Sequence, residues 1–284
     1  MKIGVIGVIG AGTMGCGVAQ TFAEYGYSVL LLDVSEEALE KAKINIYNIS
    51  RFRLMQQTEN KNIDPQGIIE SIQFSTNISI MRDADFVVEN AVENPSIKKE
   101  IYEQLDEICK KEVIFAANTS CISITSLGSY TTRPQQVIGI HFMNPVPKIK
   151  AAEVIKGFLT SEDTISRVVD LLSKIDKESI VINDSPGFVS NRISHLMMNE
   201  AIFLVQEQCA EPKDIDDIFV KCYGHKMGPL ATADLIGLDT VMDSLHVLYE
   251  SLQDSKFRCC PLLRKMVDAR KLGVKSGEGF YKYN

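Results

Sequence analysis

Six residues near the N-terminus, Gly10-Ala11-Gly12-Thr13-Met14-Gly15, limit the folds open to this chain. They follow an apolar run, Ile3 to Ile9, and precede a stretch of helical spacing that ends at Gly26, which suits the left-handed position after a helix. A lone G-x-G-x-x-G is a weak signal. Set between a buried strand and a helix, it is the phosphate-binding turn of a dinucleotide fold. Gly10 permits the tight turn, Gly12 lets the backbone approach a pyrophosphate, and Gly15 allows helix and strand to pack closely. Thr13 and Met14 open the helix, whose free N–H groups and positive dipole end face the phosphates. A second strand, Ser28 to Leu32, ends at Asp33, 21 residues after Gly12. A carboxylate there binds a ribose 2′-hydroxyl and repels a 2′-phosphate, and Val34-Ser35-Glu36 supplies no arginine. The cofactor implied is NAD rather than NADP. Gly-Val-Ile-Gly occurs twice in overlap, at 4–7 and 7–10. Because the Gly12-to-Asp33 spacing is normal, the extra residues are expected to extend the beginning of the strand, away from the cofactor, with Gly7 inside it.

Further along, Ser35 is placed to cap a long helix, and the polar stretch 51–68 reads as a helical hairpin tip or loop. Strand-like apolar runs recur at 72–74, 85–88, 113–116, 137–141, 149–155 and 179–182. Strands alternating with helices predict an α/β, Rossmann-type, mostly parallel sheet. After Asp184-Ser185-Pro186-Gly187 the strand signals nearly vanish, and helical spacing dominates 188–206, 212–222, 230–253 and 260–270. The expected organisation is an NAD-binding domain over 1–184 and a smaller all-α domain over 185–284, the latter serving substrate and dimerisation.

Composition narrows the function classes. The net charge is −7 with no basic block, which argues against nucleic acid. No run approaches the roughly 20 apolar residues of a membrane-spanning helix. The seven cysteines contain no C-x-x-C pair, so neither a zinc site nor a redox motif is indicated, and reduced thiols in a cytoplasmic setting are expected. Met1 to Ala11 superficially resembles a secretion signal, but it is short, interrupted by glycines and leads straight into the phosphate turn.

Chemistry concentrates at Ile140-His141-Phe142-Met143-Asn144-Pro145-Val146-Pro147, with Glu153 twelve residues beyond His141. A nucleotide turn upstream and a His/Glu pair downstream suggest a dehydrogenase with a proton-transfer residue. His195, His225 and His246 have no such setting and read as structural.

Taken together, these residues resemble the 3-hydroxyacyl-CoA dehydrogenases, especially the short bacterial 3-hydroxybutyryl-CoA type. The resemblance covers almost the whole chain: Gly10–Gly15, Asn118-Thr119-Ser120, His141 to Pro147, Glu153-Val-Ile155, Pro186-Gly-Phe-Val-Ser-Asn-Arg192, Asn199-Glu-Ala201, Met227-Gly-Pro229, Ala233-Asp234, Gly237-Leu-Asp-Thr240 and Gly277-Glu-Gly-Phe-Tyr281. It implies that His141 and Glu153 are the catalytic pair. An imidazole titrating near neutral pH can take the hydroxyl proton of a secondary alcohol and return it, while Glu153 fixes its tautomer and stabilises the imidazolium. It implies that Ser120 and Asn191 hydrogen-bond the reacting oxygen as neutral groups. Since Asn191 falls in the helical domain, an active site between the domains is expected. Glu93 and Lys98 match family positions near the nicotinamide and its ribose, and Asn144 is placed beside the substrate or as a support of the His141 loop. The implied reaction converts a (3S)-3-hydroxyacyl thioester and NAD reversibly to the 3-oxoacyl thioester and NADH. No metal is called for, and a homodimer through the helical domain is expected from the family.

Three segments depart from the family pattern. Lys148-Ile149-Lys150-Ala151-Ala152 replaces a more apolar stretch before Glu153, and Leu230-Ala231-Thr232 replaces Phe-Glu-Leu. Residues 44–56 carry only Arg51 and Arg53 where the family has lysines for the CoA phosphates. These changes leave open a second handle, the same oxidation on a polar, glyceryl-type acyl group carried by an acyl carrier protein in polyketide or hybrid-peptide extender-unit synthesis. An inactive NAD-binding scaffold or sensor is the alternative of another class, against which the intact His141, Glu153, Ser120 and Asn191 stand. Enzymes acting on free 3-hydroxy acids have similar cofactor domains but commonly use a lysine base.

Overall fold

The computed structural model describes residues 3–56 and 64–283, and the chain divides into two compact units, 1–184 and 185–284. In the first, β1 (Val5–Ile9), α1 (Thr13–Glu24), β2 (Ser28–Leu32), α2 (Glu36–Gln56), α3 (Pro65–Glu70) and β3 (Ile72–Ser75) form the first half. There follow β4 (Phe86–Glu89), α4 (Pro95–Ile108), β5 (Ile114–Ala117), α5 (Ile124–Gly128), β6 (Val137–Phe142), β7 (Ala151–Lys156), α6 (Glu162–Ser173) and β8 (Glu178–Asn183). The eight strands lie in the order β3-β2-β1-β4-β5-β6-β7-β8. Strands β1 to β6 are mutually parallel, whereas β7 runs antiparallel to β6 and β8 pairs parallel with β7. Helices pack on the sheet, so β4 and β5 are buried at every position, and apart from Glu89 at the end of β4 they read as apolar runs rather than alternating ones. The order reverses between β1 and β4, and it is outside the carboxyl ends of strands at such a point that α/β sheets bind ligands.

Gly7 lies inside β1, paired with Leu30 and Val87. A Cβ there would come within 2.5 Å of Met81 Sδ, so the glycine lets the 3-10 turn Ile78–Asp83 pack against the strand. Ser35 caps α2, accepting from Ala38 N at 3.2 Å. The helix continues to Gln56, past the point where its polarity suggested a loop. A tertiary tie accounts for this: Arg53 Nη1 donates to both oxygens of Glu24 at 2.6 Å, and Gln20 bridges Glu24 and Ser50, fastening the end of α2 to α1. Residues 57–63 of the expected hairpin tip lie outside the described residues; α3 follows, capped by Asp64 with Pro65 in its first turn.

The second unit contains α7 (Ser190–Gln206), α8 (Pro212–Tyr223), α9 (Pro229–Ile236), α10 (Leu238–Leu252) and α11 (Pro261–Asp268) around Met198, Ile202, Leu230, Leu245 and Leu263. The spacing over 230–253 suggested continuous helix, but the chain turns at Gly237, whose φ of 104° belongs to neither helix. Two carboxylates organise this unit. Asp216 accepts from Leu230 N at 2.8 Å and Ala231 N at 2.9 Å, capping α9 from a neighbouring helix, and also from the Tyr281 hydroxyl at 2.7 Å. Asp234 accepts from Phe280 N, Tyr281 N and the Tyr283 hydroxyl. A Cβ on Gly279 would overlap the Asp234 carboxylate. The late Ala-Asp and Gly-Glu-Gly-Phe-Tyr signatures therefore bind the C-terminal segment to α8 and α9.

Candidate active site

The turn after β1 has the form its sequence demanded. Gly10 has φ +90°, and a Cβ on it would sit 2.6 Å from Asn90 O. A Cβ on Gly15 would collide with the Gly10 carbonyl, so any side chain would push α1 off the strand. Gly12 differs: it is exposed, and a Cβ there would meet nothing within 4 Å. It is also the N-cap of α1 and offers no side-chain acceptor to the first-turn N–H groups. Beside it, Asp33 Oδ2 accepts from Ala11 N at 2.8 Å and Oδ1 from Ser35 N at 3.0 Å, which fixes the carboxylate at the end of β2. Val34 next to it is almost fully exposed and brings no cation. An open glycine cradle, a helix terminus without a cap and a tethered carboxylate fit a dinucleotide without a 2′-phosphate.

The His/Glu pair owes its geometry to the antiparallel β6–β7 pairing. In the β6–β7 register His141 stands opposite Glu153, and residues directly opposite project to the same face. His141 Nδ1 and Glu153 Oε2 are 2.8 Å apart, and both residues are buried. A carboxylate accepts only, so in the neutral imidazole Nδ1 carries the proton and Nε2 keeps the lone pair. Nε2 lies 3.4 Å from Ser120 Oγ, at the outer edge of hydrogen-bond range. Ser120 follows β5, so the glycine turn, Ser120 and His141 all occur at the carboxyl ends of parallel strands.

Glu93 joins this group. Its Oε1 accepts from Ser120 N at 3.0 Å, Cys121 N at 2.9 Å and the Thr119 hydroxyl. Lys98 lies close to this group. It is fully buried on α4, donating to both oxygens of Glu89 at 2.7 and 2.8 Å, with Glu93 Oε2 at 4.0 Å. Burial pushes the Glu89 carboxyl above its usual range, and the adjoining Lys98 ammonium opposes that rise. Asn144 is exposed on the wall of a cleft of about 360 Å³ that runs from Gly12 and Cys16 past Lys148 to Arg53. Asn191 is half-buried in the first turn of α7, in the second unit, where its carbonyl accepts from His195 Nδ1 at 2.9 Å.

Three further residues have structural roles that sequence did not assign. Asn118 donates to Asn90 Oδ1 at 2.7 Å and accepts from Phe142 N at 3.2 Å, tying the ends of β4, β5 and β6 together. Glu89 was detectable as the lone carboxylate ending an apolar strand. Lys177 donates to Val146 O and Ile149 O, each at 2.7 Å, and holds the loop between His141 and Glu153. Nothing in its local sequence marks that role.

Comparison with known proteins gives the family. The model of the 3-hydroxyacyl-CoA dehydrogenase NAD-binding domain matches residues 5–185, and that of the family's C-terminal domain matches 187–283. The chain belongs to the 3-hydroxyacyl-CoA dehydrogenase family. It is accordingly an NAD-dependent oxidoreductase, and its glycine turn is part of the family's NAD-binding domain. A probable 3-hydroxybutyryl-CoA dehydrogenase of Bacillus subtilis (strain 168) is 46% identical over 283 residues, covering 100% of this chain and 98% of the relative. The 3-hydroxybutyryl-CoA dehydrogenase of Clostridioides difficile is 42% identical over 98% of this chain and 99% of its own length. A crystal structure of an (S)-3-hydroxybutyryl-CoA dehydrogenase from Ralstonia eutropha superimposes with a TM-score of 0.94 at 40% identity, covering 100% of both chains. The fold, a mostly parallel Rossmann-type sheet followed by a helical domain, is that of other 3-hydroxyacyl-CoA dehydrogenases. Among the described residues no helix is long and apolar enough to cross a membrane.

Proposed function

We propose that this dehydrogenase interconverts a short (3S)-3-hydroxyacyl-CoA, of the 3-hydroxybutyryl type, and the 3-oxoacyl-CoA. The observation that carries the reading is the buried His141–Glu153 pair, locked by strand register and directed at Ser120. In oxidation, His141 Nε2 takes the hydroxyl proton. The glycine turn would hold NAD, which would supply the hydride acceptor for the carbon that bears this hydroxyl. Glu153 balances the charge that develops on the imidazole, and Ser120 donates a neutral hydrogen bond to the reacting oxygen. Asn191 is assigned the second such donor, and Asn144 the support of the loop beside the substrate. The pantetheine arm is assigned to the cleft lined by Gly17, Asn45, Asn144 and Lys148. Short-chain acyl metabolism in the cytoplasm is the setting such a reaction suits. Exposed apolar side chains on the helical unit, among them Ile193, Ile218, Tyr223 and Leu235, support a homodimer formed there.

One observation favours a second handle. The only cations over 44–56 are Arg51 and Arg53, and Arg53 is already engaged by Glu24. A CoA nucleotide therefore finds little charge over residues 44–56 of α2, and an acyl carrier protein would dispense with that need. NADH-dependent reduction of acetoacetyl-CoA and of acetoacetyl loaded on an acyl carrier protein separates the two. The CoA reading expects kcat/KM at least about tenfold higher for the CoA ester, a difference of about 1.4 kcal/mol in transition-state binding. A preference for the carrier ester that weakens with added salt would establish the second handle.

A further inference from the structure

The segment that presents Ser120 is held by one carboxylate oxygen. Glu93 Oε1 collects the Thr119 hydroxyl, Ser120 N at 3.0 Å and Cys121 N at 2.9 Å, while Thr119 Oγ1 in turn accepts from Ile122 N at 3.1 Å. Bonds to an ionised acceptor are shorter and stronger than neutral ones, so three of them converging on one oxygen define the path of residues 119–121. Glu93 is itself located from beneath. Its second oxygen lies 4.0 Å from Lys98 Nζ, and Lys98 is immobilised by both oxygens of Glu89 and by Ala91 O at 3.4 Å. Glu89 Oε1 also accepts from Ala91 N at 2.6 Å, which fixes the start of the 91–93 loop that carries Glu93. Two carboxylates and a buried ammonium thus form a relay of contacts from the end of β4 to the serine beside the imidazole.

We propose that Glu93 is a positioning residue, setting the Ser120 hydroxyl against His141 and the reacting oxygen, with Lys98 and Glu89 setting Glu93. The inference rests on the reading of Ser120 as a donor to that oxygen. It assigns Glu93 a task in the chemical step that does not require contact with NAD. One Glu93 oxygen is committed to protein donors, and the buried Lys98 faces Glu93 and Glu89.

The test is a double-substitution cycle in the full-length protein, using Glu93→Gln, Ser120→Ala and the pair, with acetoacetyl-CoA and NADH as substrates and NADH affinity read by fluorescence titration. Glutamine keeps the shape but exchanges an ionic acceptor of three bonds for a weaker one. We expect E93Q to lower kcat about tenfold with NADH affinity within about twofold of wild type. In the S120A background the same change should cost less than about twofold, because residues that act through one another are not additive. Losses that multiply would overturn the proposal, as would an E93Q variant whose defect is in NADH affinity with kcat intact. A wild-type rate for S120A alone would instead remove the reading of Ser120 on which the inference rests. Glu93→Asp, which keeps the charge but withdraws the oxygen by one methylene, is expected to show the same split and serves if the glutamine variant does not fold.

Discussion

His141→Ala is expected to lower kcat for acetoacetyl-CoA reduction by about a thousandfold, with NADH affinity held within about twofold. A secondary alcohol does not give up hydride without shedding its hydroxyl proton, and in the reverse direction the carbonyl oxygen must receive one. His141 is the imidazole at the carboxyl edge of the sheet whose ring is fixed by a carboxylate. Alanine removes the proton acceptor and leaves the glycine turn and Asp33, on other strands, untouched. Steady-state kinetics alongside NADH titration checks this. A variant that binds NADH normally and turns over within tenfold of wild type would mean that another group carries the proton.

The second large effect is expected at Glu153. Glu153→Gln retains a side chain that can accept from Nδ1 but removes the negative charge 2.8 Å from it. The imidazolium formed during turnover is then without its counter-charge in a buried setting, where such charge is costly. A fall in kcat of about a hundredfold follows, intermediate between deleting the base and leaving it intact. Because Glu153 lies in β7, the effect should be on kcat, with little change in NADH affinity. An activity near wild type would show that the carboxylate only orients the ring.

Much of this arrangement was readable because it rests on local necessities. The Gly10–Gly15 turn admits no side chain at its first and last positions, so the residues advertise their backbone. Asp33 ends a strand whose apolar run is self-evident. The His141–Glu153 pairing was less open to inspection. Twelve residues of separation do not say that the strands face each other, and only the antiparallel return of β7 brings the two side chains to one face. What sequence missed depends on where side chains go rather than on what precedes them. The burial of Lys98 against Glu89 is not visible from its place near the start of a helix. The end of α2 looks like a loop until Arg53 is seen on Glu24. The break at Gly237 interrupts an apolar spacing that continues on either side, and only the φ of 104° distinguishes it from a tolerated helical glycine.

The most direct test of the central claim is NADH formation from NAD by the purified enzyme with (3S)- and (3R)-3-hydroxybutyryl-CoA compared. Turnover of the S ester, with the R ester slower by at least about a hundredfold, is the expected result for a single base held in one place beside the reacting hydroxyl. Tight NAD binding with no turnover of either ester would contradict the assignment of this site to 3-hydroxyacyl-CoA oxidation.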